Sequence, residues 1–402
     1  STVNAKGGKY AAGIGTGFHS AYLTGAIETG ATVNAVSGEN FYKDAYTKAQ
    51  NIGYGVVDPA REFSKDNYNV TFTVNGTVIE NPLPPVVDIN GTPYPSFKDA
   101  INAAQAGDTI TLSDDVTLSE ELEIPAGVTL NGNGKQINGT IYAGGNLTFE
   151  GHTKVTAFSA SYYDRVITIG EGACLEITGT GRVTLGYGNT FNITGSVENA
   201  KSADKTKVQP SLIIPGGMSI TGSNNATMNV TNAYVQIGST SSKNNAANGV
   251  FTLNFTNSIA EFTNQLTFSE PTNGKTPTFN INIKNSVLTT ATKLILAAPK
   301  CNMVVDNSTI NIATYFRNSG KVELKNDSVL TGSTIQFGEN GGHNGETTVD
   351  NSTFTITTTH PYEGLGTGVI NVVNGATVVV DYYKAMTINV DATSTFTGTE
   401  VQ

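Results

Sequence analysis

The chain has 402 residues, room for one long domain or a few ordinary ones, and its 38 % apolar and 14 % charged residues leave a large share to Gly, Asn, Thr and Ser. A formal charge of −10 with no Lys/Arg-rich run excludes a nucleic-acid footprint and an anionic-membrane patch. No stretch approaches the ~18 apolar residues of a membrane span, no signal peptide is visible, and no motif implies a cofactor.

Residues 1–65 carry AAGIGTG (11–17) and QNIGYG (50–55), with their glycine motifs 38 residues apart. Between them GAIETGATVNAVSG alternates apolar and polar positions as a half-buried strand does. A G-x-G could cradle phosphate, but no helix follows it, so it reads as a structural repeat. A hairpin is expected around Asn75-Gly76, and the cluster Pro82, Pro84 and Pro85 reads as a boundary. The division is therefore 1–80 for a Gly-rich β region, 81–95 for a Pro-rich boundary and 96–402 for the main body.

Over residues 96–106 the spacing predicts a helix. Ser96 is a good N-cap, Asp99 lies in the first turn, Phe97, Ala100, Ile101 and Ala104 form an apolar face, and Gly107 ends it. From Thr109 onward the period switches to alternation. Turn residues then recur at Asn232, Asn257, Asn285, Asn307, Asn326, Asn351 and Asn374, with gaps of 25, 28, 22, 19, 25 and 23. Two residues before each stands an apolar side chain, and four before stands another in all but one, Thr347. The same signature extends upstream to Gly132, Gly151 and Gly179, and the polar run 196–210 interrupts it.

A second strand follows each Asn, and a third apolar pair follows that, as in Leu266/Phe268, Leu294/Leu296 and Ile335/Phe337. Three short strands per repeat of about 24 residues describe one coil of a parallel β-helix of 10–11 coils, a rod about 50 Å long. The helix at 96–106 would cap the first coil. Cys174 and Cys301, each in an alternating apolar stretch, read as buried free thiols.

The stretch SFKDAINAAQAGDTITLSDDVTLSEELEIPAGVTLNGNG resembles the entry to the pectate-lyase-like right-handed parallel β-helix superfamily, the sharp part being residues 100–134. The AGIGTG repeats resemble, more weakly, glycine-rich repeats of secreted or cell-surface proteins of gut-type bacteria. The superfamily implies polysaccharide lyases, glycoside hydrolases, phage tailspikes or surface adhesins, so chemistry must be sought at sites. Hydrolases of the polygalacturonase type carry Asn-Thr-Asp and Gly-His-Gly motifs, both absent here, and Asp114-Asp115 precedes the first full coil. No coil concentrates carboxylates for calcium or a Lys/Arg base for a lyase.

The best carboxylate pair is Asp306 and Asp350, two coils apart or about 9.6 Å, near the separation of an inverting acid and base. However, the residue before each Asn runs Lys284, Asp306, Lys325, Asp350, and a Lys between two acids keeps both as ordinary carboxylates. That column therefore reads as a surface charge ladder. His343 with Glu339 and Glu346 is a weak candidate for a cation site. For ligands the candidates are Tyr162, Tyr163 and Arg165, with Tyr187 one coil on, and Tyr382 and Tyr383 near the far end. The polar loops 196–210, 239–249, 269–277 and 338–346 are expected to crowd one side as a recognition face.

The sequence thus favours a secreted or cell-surface adhesin-like or glycan-binding β-helix, its partner a glycan or a host or cell-surface ligand. A polysaccharide lyase or hydrolase is the alternative, and a phage tailspike-like receptor-binding protein, which would be a trimer, the second.

Overall fold

A computed structural model of the chain describes residues 2–6, 14–15, 32–36, 52–53, 72–74, 77–79, 86–94, 96–160, 164–222, 225–246, 248–269, 275–337, 344–357 and 365–400. The chain divides into two compact units, residues 1–87 with 93–99, and residues 88–92 with 100–402. In the first, Ile14–Gly15 pairs in parallel with Ile52–Gly53, so the two glycine-rich copies lie side by side. Thr2–Lys6 pairs likewise with Thr32–Val36, joining TVNAK to TVNAV, a likeness that reading for glycine overlooks. Phe72–Val74 and Thr77–Ile79 form the expected antiparallel hairpin, whose turn lies outside the described residues.

The second unit is the expected parallel β-helix. Each coil contributes a strand to face A, turns at the Asn corner, and contributes strands to faces B and C before returning. Face A holds Cys301–Asp306 between Thr278–Lys284 and Lys321–Lys325, and face B holds Thr309–Ile312 between Val287–Thr290 and Val329–Gly332. These two faces belong to one 28-stranded sheet, while face C is a separate seven-stranded sheet from Val183–Leu185 to Thr334–Phe337. Earlier coils fuse faces B and C: Gln136–Ala143 pairs with Val116–Thr117 through its first half and with Leu122–Ile124 through its second. Parallel stacking in register follows from the pattern, because a one-residue slip would turn each apolar set outward.

The apolar residues that precede each Asn are all buried, and so is the exception, Thr347, whose hydroxyl accepts a 3.1 Å hydrogen bond from Asn318 Nδ2. The interior is rich in phenylalanine. Phe251 stacks on Phe279 of the next coil at 5.7 Å between ring centroids, and Phe268 packs on the same ring at 5.2 Å. Cys174 and Cys301 are buried and free, and burial pushes the Cys174 thiol up to about 12.

The corner itself has a consistent chemistry. All seven Asn residues of the repeat are left-handed, with φ between 43° and 58°, a conformation Asn tolerates better than other residues with a Cβ. The residue after the turn is most often a buried serine, and these serines form a ladder that the sequence reading does not contain. Ser258 N donates to Ser286 Oγ (2.9 Å), Ser286 N to Ser308 Oγ (3.0 Å), Ser308 N to Ser328 Oγ (3.2 Å) and Ser328 N to Ser352 Oγ (3.1 Å). The hydroxyls of Ser258, Ser286, Ser308 and Ser328 in turn donate to a carbonyl, as Ser308 does to Asp306 O at 2.7 Å. The turn amides, which strand pairing misses, are satisfied in this way without water.

Three expectations need correction. Gly179 follows Cys174–Ile177, a face B strand, so it is not a corner residue; by register Glu171 and Gly195, in the coils of Val166–Ile169 and Thr190–Thr194, hold that place. Alternation shows that a strand exists but not which face it joins, and LEI reads the same on either. The helix is shorter than expected, Phe97–Ala103, because Gln105 N turns to Asp108 Oδ2 at 2.8 Å. Ser96 caps it by accepting from Asp99 N at 3.1 Å.

The third correction concerns residues 196–210, which follow the face A strand Thr190–Thr194 and not the second or third strand of their coil. They leave the Asn corner and lie as a strap over face B, where Val197 and Ala200 bury Tyr234 and Ile259. Asn257 Nδ2 donates to Val197 O (2.8 Å) and Glu198 O (3.0 Å), and Lys201 Nζ reaches Asn307 Oδ1 at 2.8 Å. A 3₁₀ turn at Lys205–Lys207 aims Lys205 at Glu261, which also receives the Tyr234 hydroxyl. Residues 239–249 are mostly the strand Thr240–Ala246, and 270–274 and 338–343, from the other two loops, lie outside the described residues.

Replacing Ser308 by Ala strands the buried Ser286 N–H and should cost about 1–3 kcal/mol, read as a lowered denaturant midpoint at unchanged slope. At the adjoining turn, Asn285→Ala should cost about 1–2 kcal/mol more than Asn285→Gly, since glycine keeps the left-handed backbone.

The strap is expected to loosen in acid. Burial alone would raise the Glu261 carboxyl, but bonds from Lys205, Tyr234 and Gln236 outweigh it and hold the group below its ordinary 4.5. Its contribution is therefore present above the ordinary value and lost as pH falls through the lowered one. Amide exchange over 196–210, corrected for intrinsic rates, should show more opening between about pH 6 and pH 3, and Glu261→Gln should flatten that dependence.

Candidate binding groove and face

At the corner that returns to face A, the backbone is bent by two left-handed residues, Asp164 and Tyr187 (both φ 57°), and by Gly188 (φ 81°). Asp164 N donates to Tyr187 O at 3.0 Å, tying one coil to the next. Buried Asn189 completes the joint, since its Oδ1 accepts from Arg165 N at 2.8 Å and its Nδ2 donates to Ala160 O. A Cβ on Gly188 would lie 2.1 Å from Asp164 Oδ1, so only glycine lets the carboxylate settle there.

Asp164 and Gly188 open a shallow groove of about 540 Å³ that continues past Thr190, Asn225, Thr227 and Asn248. Register places these residues on four successive coils, since Val166 stands opposite Thr190, Thr190 opposite Thr227 and Thr227 opposite Thr252. The amide orientations are fixed by the fold. Asn225 Oδ1 accepts from Val250 N (2.8 Å) and Asn248 Oδ1 from Thr276 N (2.9 Å). A backbone N–H can only donate, so the bonded atom is the amide oxygen and the NH₂ is the other end.

Beside the groove, face A carries TFNIT, TMNVT and TLNFT on three consecutive strands, Thr190–Thr194, Ala226–Thr231 and Val250–Thr256. Alternation turns Phe191, Met228 and Leu253 inward and leaves Thr-Asn-Thr outward in every row. The asparagines form an amide ladder: Asn229 donates to Asn192 (2.9 Å), Asn254 to Asn229 (2.8 Å) and Asn282 to Asn254 (2.8 Å). The result is a flat neutral grid with its middle column fixed. Its signal was present in the sequence as T-x-N-x-T, but alignment on corner residues passes over it.

The residues anticipated from sequence fall in several places. Arg165 and Tyr187 flank Asp164 and Gly188 on adjacent coils, both half-buried, while Tyr162 and Tyr163 lie outside the described residues. Tyr383 is occupied locally, edge-on to Phe396 at 5.4 Å, and Tyr382 stands opposite Thr399. Asp306 does lie between Lys284 and Lys325 in register, with Asp350 one strand beyond Lys325. Their hydrogen bonds come from amides: Asn326 Nδ2 to Asp306 Oδ1 and Asn374 Nδ2 to Asp350 Oδ1, both 2.7 Å. Lys325 reaches Glu323 on its own strand at 3.4 Å. Glu346 pairs with Lys321 at 3.6 Å, and Glu339 and His343 lie outside the described residues. Among the described residues no group of three His, Cys, Asp or Glu side chains could hold a metal ion.

Comparison with family models, with curated proteins and with solved structures found no match to this chain.

Proposed function

We propose that the chain is a non-catalytic recognition rod of a secreted or cell-surface protein, and that it holds glycan in the groove beside face A. One observation carries this reading: a carboxylate, two oriented amides and two threonine hydroxyls converge on a single open groove at Asp164, Asn225, Asn248, Thr190 and Thr227. Sugar hydroxyls both donate and accept, so they match a site that offers an anionic acceptor beside amide donors. Such groups fix orientation in binding sites, and Tyr187 in the same turn supplies aromatic surface nearby. Solenoids bind along faces built from successive repeats, as this groove is. The surface placement rests on the resemblance of the Gly-rich N-terminal repeats.

The test is a panel of immobilised glycans probed with the full chain. Asp164→Ala should weaken binding at least about 10-fold, the loss expected for a charge-assisted hydrogen bond, with circular dichroism unchanged. Equal binding by the variant would remove the groove from consideration, and release of reducing ends from any member of the panel would show that the rod is catalytic.

A further inference from the structure

Resting on the glycan reading, we infer that the ligand is an uncharged linear polysaccharide laid parallel to the rod axis, its chain crossing successive coils. The groove's lining residues come one to three at a time from four consecutive coils. At about 4.8 Å per coil it runs about 14 Å along the axis, longer than a single sugar ring requires. An extended polymer fills such a groove, whereas a single sugar leaves most of it to water.

Charge sets the class. Among the described residues, Asp164 is the one ionisable side chain lining the groove, and the neighbouring rows TFNIT, TMNVT and TLNFT turn only Thr and Asn outward. Charge on face A resumes beyond them, at Lys284 and Asp306. Arg165 adjoins Asp164 in sequence but is not among the described residues that line the groove. An anionic polymer would meet a carboxylate and a chain of net charge −10, with no cation among the described lining residues to offset them. A neutral polymer meets hydroxyls and amides that can replace its water. The amide ladder holds the middle column of the grid in one geometry, so little side-chain entropy is lost when sugar hydroxyls dock on it.

The experiment is affinity electrophoresis of the full chain through gels containing a neutral β-glucan, a neutral galactomannan or polygalacturonate, followed by calorimetry on an oligosaccharide series from the best binder. Retardation by a neutral polymer, insensitive to salt from ~0.05 M to ~0.5 M, and affinity that rises with oligosaccharide length until the groove is spanned, are the expected results. Asp164→Asn should weaken every member of the series at least 10-fold. Retardation by polygalacturonate, alone or equally with the neutral polymers, overturns the inference while leaving the glycan reading in place. A monosaccharide that binds as tightly as the polymer overturns the axial arrangement. If no glycan binds, both the inference and the reading beneath it fail.

Discussion

Every coil of this rod must finish the hydrogen bonding of the coil before it, and the corner is where strand pairing alone does not suffice. A left-handed Asn bends the chain through nearly the same angle in each repeat, and the amide that follows points into the interior. There the serine hydroxyl of the next coil receives it, and the same hydroxyl donates to a carbonyl of the coil behind. One small polar side chain therefore serves as acceptor and donor at a site from which water is excluded. An apolar residue of similar size would leave both groups unpaired, which is why a polar residue recurs inside an otherwise aliphatic and aromatic core.

With the corner fixed, stacking in register has a second consequence on the outside. Residues with the same offset from the corner line up in columns, so any regularity in outward residues becomes a regular surface. Thr-Asn-Thr repeated on three strands becomes a flat grid, and its Asn column bonds to itself as a ladder. The same alignment gathers the residues before the first column into a groove along the axis. Core and corner thus set the spacing, and outward residues inherit it. Charge follows the rule too: Lys284, Asp306 and Lys325 alternate in sign along the corner, and amides from Asn326 and Asn374 hold the acids there.

The strap over face B departs from the repeat and is stabilised differently. It covers Tyr234 and Ile259, whose outward positions would otherwise expose apolar surface on a sheet face. Its anchors reach from Asn257 to Asn307, so it ties together coils that otherwise touch only their neighbours. The Tyr234 phenol, pushed up to about 12 by burial and by the bond to Glu261, stays protonated and keeps donating to that carboxylate. Through this network the strap's hold on face B depends on pH.

Much of the rod was legible in the sequence because its signals are local. Asn at the left-handed turns, apolar residues two and four places before, Ser96 capping a short helix and the 38-residue glycine repeat each declare themselves within a few residues. Which sheet a strand joins was not legible, as the misplaced Gly179 shows, since alternation has the same period on every face. Arg165 and Tyr187, picked out from the sequence, adjoin the groove without lining it, while Asp164, Asn225 and Asn248 look like ordinary turn residues until coils stack. The sequence by itself determined the repeat, the turn and the inward pattern, because these depend on backbone preference and burial along one strand. Only the tertiary structure decided that residues as far apart as Asp164 and Asn248 share one groove and that a polar insertion lies flat over face B, because those placements depend on contacts between coils that no local pattern encodes.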